Sequence, residues 1–229
     1  MSTMPPNITV ILPAARLQEQ AQLIVDRLWE NSYVRRVVVI SPNFEVKIKR
    51  AVCIRDSNVG SARAIALAYD KYLFFTHLAW LSDICYPAPY ALDKMVAFID
   101  GQPEPFIAEF RTMPPVTKGH YRVCTITGKQ YARWGMLSRG TIDKIGGFFD
   151  EAYIAHYGDV DLSLRCWKAG GSVATCKDAE IEMHGHWHVN TAPQSADEAL
   201  FLERWRHDYP QIVTQHTSEW NVDREIPLE

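Results

Sequence analysis

Between residues 8 and 99, short runs of apolar, β-branched residues alternate with stretches of helical periodicity, and this alternation restricts the fold more than any other feature. Residues 8–12, closed by Pro13, read as a buried strand. Over residues 16–30, Leu17, Ala21, Ile24 and Leu28 recur at helical spacing. Residues 34–40 form a second expected strand, stopped by Ser41-Pro42-Asn43, and residues 51–55 a short third. Ser57 or Asn58 can cap a following helix in which Ala62, Ile65, Ala66 and Tyr69 share one face. Residues 72–75 predict another buried strand. Residues 89–99 predict a helix with Leu92, Met95, Val96 and Ile99 turned inward. Such alternation predicts an α/β protein whose mostly parallel, Rossmann-type sheet is sandwiched by helices. Ligands of such sheets bind beyond the carboxyl ends of the strands.

Residues 101–140 are richer in Gly, Pro and Thr, with short strands expected at 107–111 and 121–126. Helices return at 159–169 and 197–206. No repeat or long linker divides the 229 residues, so one domain is expected. Within it, residues 1–100 and 101–206 form two halves and 207–229 a C-terminal tail. The longest apolar runs, at 37–40 and 78–81, are too short to span a bilayer, and no signal peptide is visible. Five cysteines, odd in number and never two residues apart, argue against a zinc site or disulfide framework and for a reducing, cytoplasmic compartment. The net charge of −3 hides a run from residue 110 to 142 with Arg111, Lys118, Arg122, Lys129, Arg133 and Arg139 and no acidic residue. Tyr121, Tyr131 and Trp134 are interleaved with them. Such a run is either a solvated surface or a face for an anionic ligand.

The chemistry is concentrated later. Gly146-Gly147-Phe148-Phe149-Asp150-Glu151 sets a glycine turn, Tyr157-Gly158-Asp159-Val160-Asp161-Leu162-Ser163-Leu164-Arg165 opens a helix, and Gly170-Gly171 stops it. An aspartate at a helix start accepts free N–H bonds and feels the positive end of the macrodipole, so Asp159 is expected to stay ionised near neutral pH. A carboxylate held there can take a proton from a hydroxyl or act simply as a cap. Asp161, Arg165 and Lys168 share a helix face, which predicts an Asp161–Arg165 pair and leaves Asp159 to face a cleft. His184, His186 and His188 alternate and would share one face of a strand, an arrangement suited to a divalent metal or to a structural role. Trp167 and Trp205 are assigned to the core.

The glycine and carboxylate run resembles the "GGFDE…EDVDLxxR…G" segment of family-two glycosyltransferases of the GT-A type, and the likeness extends over residues 8–205. It implies a GT-A fold and transfer of a sugar, with inversion, from a nucleoside-diphosphate sugar (uridine or another nucleoside) to an acceptor hydroxyl. Asp159 matches the general base of that family's "ED" pair, and Gly158 stands where its acidic neighbour would be. Pro13, Ala14 and Arg16 resemble the family's "P-x-x-N-R" opening. Asn43 stands at its acidic "D-D-G-S" segment, and Asn58 and Arg63 fall in one resembling "N-x-G-x-x-x-A-R-N". These, with His77, are the expected nucleotide-sugar contacts. Trp134, Gly135, Met136 and Arg139 resemble the turn into the acceptor-side helix.

The family closes its fourth strand with two aspartates that hold Mg²⁺ or Mn²⁺ on the diphosphate. Here the slot after residues 72–75 reads Thr76-His77-Leu78, with no carboxylate before Asp83. Asp83 could loop back, His77 could serve with a softer ion, or protein cations could neutralise the leaving group. One of His184, His186 and His188 would complete the metal or diphosphate site. The implied acceptor is a saccharide, or a modified nucleic-acid base if the basic run binds nucleic acid. The alternative is a nucleotide-sugar-binding or scaffolding protein that kept the fold without catalysis. A nucleotidyltransferase would need a glycine-rich, basic phosphate loop, which Pro13-Ala14-Ala15-Arg16 does not supply.

Overall fold

The computed structural model describes residues 5–15, 18–42, 47–55, 60–71, 74–113, 120–184, 194–210 and 222–227. Its first half is built as the alternation requires. Strand β1 (Ile8–Pro13) leads to helix α1 (Gln18–Leu28), then β2 (Val34–Ser41), β3 (Val52–Arg55), α2 (Ser61–Lys71) and β4 (His77–Trp80). β1 pairs in parallel with β2 and β4, and β2 with β3, giving the order β4-β1-β2-β3. The period of two explains why both faces are covered. Ile8, Val10 and Leu12 of β1 face one core with α1, whereas Ile11 faces a second core with α2.

The second half widens this sheet. After β5 (Cys85–Pro87) and α3 (Ala91–Asp100) come β6 (Phe106–Met113), β7 (His120–Ile126), β8 (Lys129–Tyr131) and β9 (Gly135–Ser138). β9 inserts antiparallel between β4 and β6, so β6 again runs in the direction of β4. Helices α4 (Arg139–Lys144) and α5 (Gly158–Lys168) precede β10 (Ser172–Met183), which pairs in parallel with β6. The carboxyl ends of β1, β2, β3, β4, β6 and β10 therefore share one edge of the sheet. Helix α6 (Gln194–Trp205) packs Phe201 and Trp205 against the core beneath α5. Beyond it lies β11 (Val222–Pro227), which pairs antiparallel with β7. The segment expected as a tail thus contributes a strand to the sheet. No helix among the described residues is long and apolar enough to cross a membrane.

One strand lies later than its sequence suggests. Phe74 is 72% exposed, and the fourth strand begins only at His77. Aromatic residues at 72–75 imitate a strand, and the polar pair Thr76-His77 imitates its end. In fact all four residues of β4 are buried, His77 included. The shift of register matters, because the carboxyl end of β4 is now Leu81-Ser82-Asp83 rather than Thr76-His77-Leu78.

Candidate active site

Asp83 needs no long detour to reach the strand edge. It follows β4 directly, is buried, and its Oδ2 accepts the Ala15 N–H at 3.0 Å, tying the ends of β1 and β4 together. Ala14 N–H in turn donates to Ile40 O at 2.8 Å, so the carboxyl ends of three neighbouring strands are joined here. Pro13 and Ala14 lie on this edge. His77 does not. It pairs with Ile8 at the opposite, amino end of the sheet, its Nε2 lies 3.3 Å from Asp100, and burial lowers its pKa. It therefore cannot serve a ligand at the carboxyl edge.

Asp159 stands in the first turn of α5, half-buried. The helix is entered through Tyr157 in a left-handed conformation (φ 63°) and through Gly158. A Cβ at Gly158 would lie 2.8 Å from the Phe149 ring and 3.0 Å from Ala62 Cβ, so the acidic residue of the "ED" pair has no room here. Asp159 Oδ1 accepts the Val160 N–H at 3.0 Å, and no side chain among the described residues donates to the carboxylate. Burial raises its pKa to about 6, against the main-chain N–H groups and the charges of Arg133 and His156, which pull it down. The sequence predicted a carboxylate that stays ionised near neutral pH at the positive end of the helix dipole. At pH 7 it is still mostly ionised, but desolvation outweighs the dipole, leaving a base poised just below neutrality.

Arg133 went unnamed as a site residue, yet it is firmly braced. The Ala132 N–H donates to Ser163 Oγ at 3.1 Å, the Trp80 indole donates to Arg133 O at 3.0 Å, and the guanidinium lies 5.4 Å from the Trp134 ring centroid. Ser163 Oγ also donates to Asp159 O at 2.8 Å, so the Arg133 loop and the Asp159 turn are hydrogen-bonded through one hydroxyl. Burial raises the pKa of the Cys85 thiol, on which Asp83 and Arg133 both act electrostatically, one raising and one lowering it. Asp83 follows the carboxyl end of β4, and the Arg133 main chain meets that end through the Trp80 indole. Beneath them Glu109 is buried among Gln130 (2.7 Å) and Thr175 (3.2 Å), and desolvation pushes its pKa up to about 8.

The remaining motif residues are mostly framework. Asp161, fully buried, accepts from Arg165 Nε (2.9 Å), Arg204 Nη1 (3.1 Å), Trp205 Nε1 (3.0 Å) and Tyr153 OH (3.2 Å), so the expected Asp161–Arg165 pair is present within a larger cluster. Arg165 also donates to Gly147 O at 2.8 Å and to Phe148 O, clamping the glycine turn in which Gly146 and Gly147 take φ of +80° and +124°. Trp205 is core. Trp167 is only half-buried, donating to Gln130 O at 2.8 Å under the Lys129 ammonium.

Other expectations are corrected. Arg63 lies at the right edge, but its Nε donates to Glu151 O at 2.7 Å and so holds the loop before α5. Trp134, Gly135 and Met136 are buried within the sheet. Arg139 lies beyond the amino end of β4, paired with Asp143 at 3.2 Å and with its N–H on Thr76 O. The basic run is therefore no single face: Arg111 pairs with Glu180 on β10, half-buried Arg133 lies at the carboxyl edge, and Arg139 is at the far edge. His184 ends β10 with its N–H on Ile84 O at 2.9 Å, beside Asp83, but its ring meets Glu182 at 3.1 Å and Tyr86. Among the described residues no three His, Cys, Asp or Glu side chains converge as a metal cage. Arg16, Asn43, Asn58, His186 and His188 lie outside the described residues.

A parallel β3-β2-β1-β4 block, widened by β9 and β6 and flanked by helices on both faces, is the GT-A architecture that the resemblance implied. Glycosyltransferases are among the solved structures it matches. The chain superposes on GalNAc-T7 with UDP, GalNAc and Mn²⁺ at a TM-score of 0.70 and 13% identity, covering 90% of this chain and 49% of that one. S. aureus TarS (1–349) in complex with UDP gives 0.61 and 11%, covering 87% and 65%. The mannosyltransferase PcManGT from Pyrobaculum calidifontis, with GDP-Man and Mn²⁺, gives 0.57 and 13%, covering 94% and 66%. The chain thus spans between half and two thirds of the proteins it matches, and at these identities the likeness establishes the fold. No protein-family model and no curated protein matches the sequence.

Proposed function

We propose that this chain is a glycosyltransferase that moves a sugar from a nucleoside-diphosphate sugar to an acceptor hydroxyl, with Asp159 as general base. The observation that supports the reading is the Asp159 carboxylate: among the described residues it is tethered by main-chain N–H groups, and burial raises its pKa to about 6. In the step, the acceptor oxygen attacks the anomeric carbon as its proton passes to Asp159. The bond from that carbon to the diphosphate breaks, and the nucleoside diphosphate leaves with the electron pair. A single displacement of this kind inverts the anomeric centre.

The diphosphate would lie between Asp83 and Arg133. Asp83 fits as one carboxylate ligand of a Mg²⁺ or Mn²⁺ ion whose other ligands are phosphate oxygens and water, the usual manner in which such cations meet nucleotides. The His184 ring, engaged with Glu182, does not fit as a second ligand. Arg133 supplies fixed positive charge at the same edge, suited to the charge that develops on the leaving group. Dispersal of the basic run leaves a saccharide as the better-supported acceptor than a nucleic-acid base.

The test is Asp159→Asn. Losing a general base costs about 10²–10⁴-fold in kcat, while nucleoside-diphosphate binding, read by thermal shift, should persist. A second reading, a nucleotide-sugar-binding protein without catalysis, is favoured by the single carboxylate in Leu81-Ser82-Asp83. It predicts stabilisation by the nucleotide with no turnover in the wild type either.

A further inference from the structure

The turn at 154–156 that delivers the chain into α5 is held from two sides. From α6, the Asp197 carboxylate accepts three main-chain N–H groups: Ile154 to Oδ1, and Ala155 and His156 to Oδ2, each at 2.8 Å. From the start of α2, Arg63 N–H donates to Ile154 O at 3.1 Å and Ser61 Oγ donates to Ala155 O at 3.0 Å. The approach is close: a Cβ on Gly60 would lie 2.5 Å from Ile154 O. Asp197 is 1% exposed, and its carboxylate lies 41 to 43 positions along the chain from the groups it binds. Three convergent N–H groups form an anion-binding concavity of the type usually given to phosphate. Here it is filled by a side chain from another helix.

We infer that Asp197 is a positioning residue for Asp159, fixing the height and direction at which that carboxylate leaves the first turn of α5. The inference rests on the reading of Asp159 as base for its kinetic consequence, though not for its structural one. The chain of contacts is short. Tyr157 follows the clamped turn directly and stacks on Phe201 of α6 at 4.8 Å and 22°. Gly158 is then wedged between Phe149 and Ala62, and Asp159 is next. The base therefore has no freedom of its own main chain unless the 154–156 turn moves. His156, whose N–H Asp197 holds, is also a neighbour whose electrostatic influence, with that of Arg133, opposes burial and lowers the Asp159 pKa. Misplacement of a reacting group by about 1 Å is enough to cost about 100-fold in rate.

The test compares wild type, Asp197→Asn and Ser61→Ala, with two readouts. One is kcat and KM for the donor as a function of pH. The other is the titration midpoint of the Asp159 carboxylate by carbon-detected NMR, which needs no substrate. Asp197→Asn should lower kcat by about 100-fold with donor KM unchanged, and should move the Asp159 midpoint down from about 6 as its burial relaxes. Ser61→Ala, which removes one exposed contact, should fold normally and give the same shifts at smaller size. If both variants keep the wild-type midpoint and kcat, or lose only thermal stability, the inference is overturned. A midpoint that moves in a protein whose wild type transfers no sugar would support the positioning role and sink the glycosyltransferase reading instead.

Discussion

Asp159 is built at a cost to the fold. An aspartate with a pKa of about 6 in the folded protein, against an ordinary value of 3.8, is harder to ionise folded than unfolded. The stability it contributes when protonated is complete below the ordinary value and is lost as pH rises through about 6. Asp159→Asn should therefore be more stable than wild type at pH 7, by on the order of 1–3 kcal/mol, and the difference should vanish near pH 4. Melting curves of the two proteins at those pH values check it. The same value sets the kinetics, with kcat/KM rising with pH through about 6. Restoring the missing acid fails for a different reason: Gly158→Glu drives a Cβ into Phe149, and urea denaturation should show a loss of at least about 1–3 kcal/mol. Sequence reasoning found Asp159 because a helix start leaves a local signature. It overlooked Asp197 and Arg133 because their partners lie far along the chain and leave no spacing to read.

At the scale of elements, the shape of the 146–171 segment has a physical cause in the cluster under α5. Asp161 receives two arginines, an indole and a phenol, and Arg165 and Arg204 carry that anchor to the glycine turn and to Asp150. Asp161→Ala leaves two half-buried guanidinium groups and the buried Trp205 indole without their shared anion, an error that costs about 3–5 kcal/mol. Its expected sign in experiment is a large drop in the urea midpoint, with α5 and the 146–150 turn losing amide protection first. Most elements were legible because periodicity is local: β1, β2, α1, α2 and α3 lie where the apolar spacing puts them. β4 was misread because burial on both faces hides polarity as a guide, and His77 looked like an ending. That five-residue displacement hid Asp83 in its place at the strand end, and it made His77 look like a ligand.

For the whole molecule, two buried acids share the region between the sheet and α5. Glu109, with a pKa near 8, and Asp159, near 6, are both raised by burial, so each destabilises the fold as it ionises. Stability should fall from about pH 4 to about pH 8, and Glu109→Gln should flatten the upper part of that decline in thermal melts. The antiparallel insertion of β9 and the return of β11 to β7 were not legible, because pairing between distant strands depends on register rather than on any short pattern. Yet β9 is what carries the Arg133 loop to the carboxyl edge, opposite Asp83. The candidate site is thus a product of topology, with one local motif at its centre.

Release of nucleoside diphosphate from a panel of UDP- and GDP-sugars, followed in parallel for wild type and Asp159→Asn with and without Mn²⁺, tests the central claim most directly. A donor that stabilises both proteins equally against heat but is turned over only by the wild type, with a rate climbing through about pH 6, is the result expected. Equal turnover by both proteins, or a wild type that no sugar nucleotide stabilises, would contradict it.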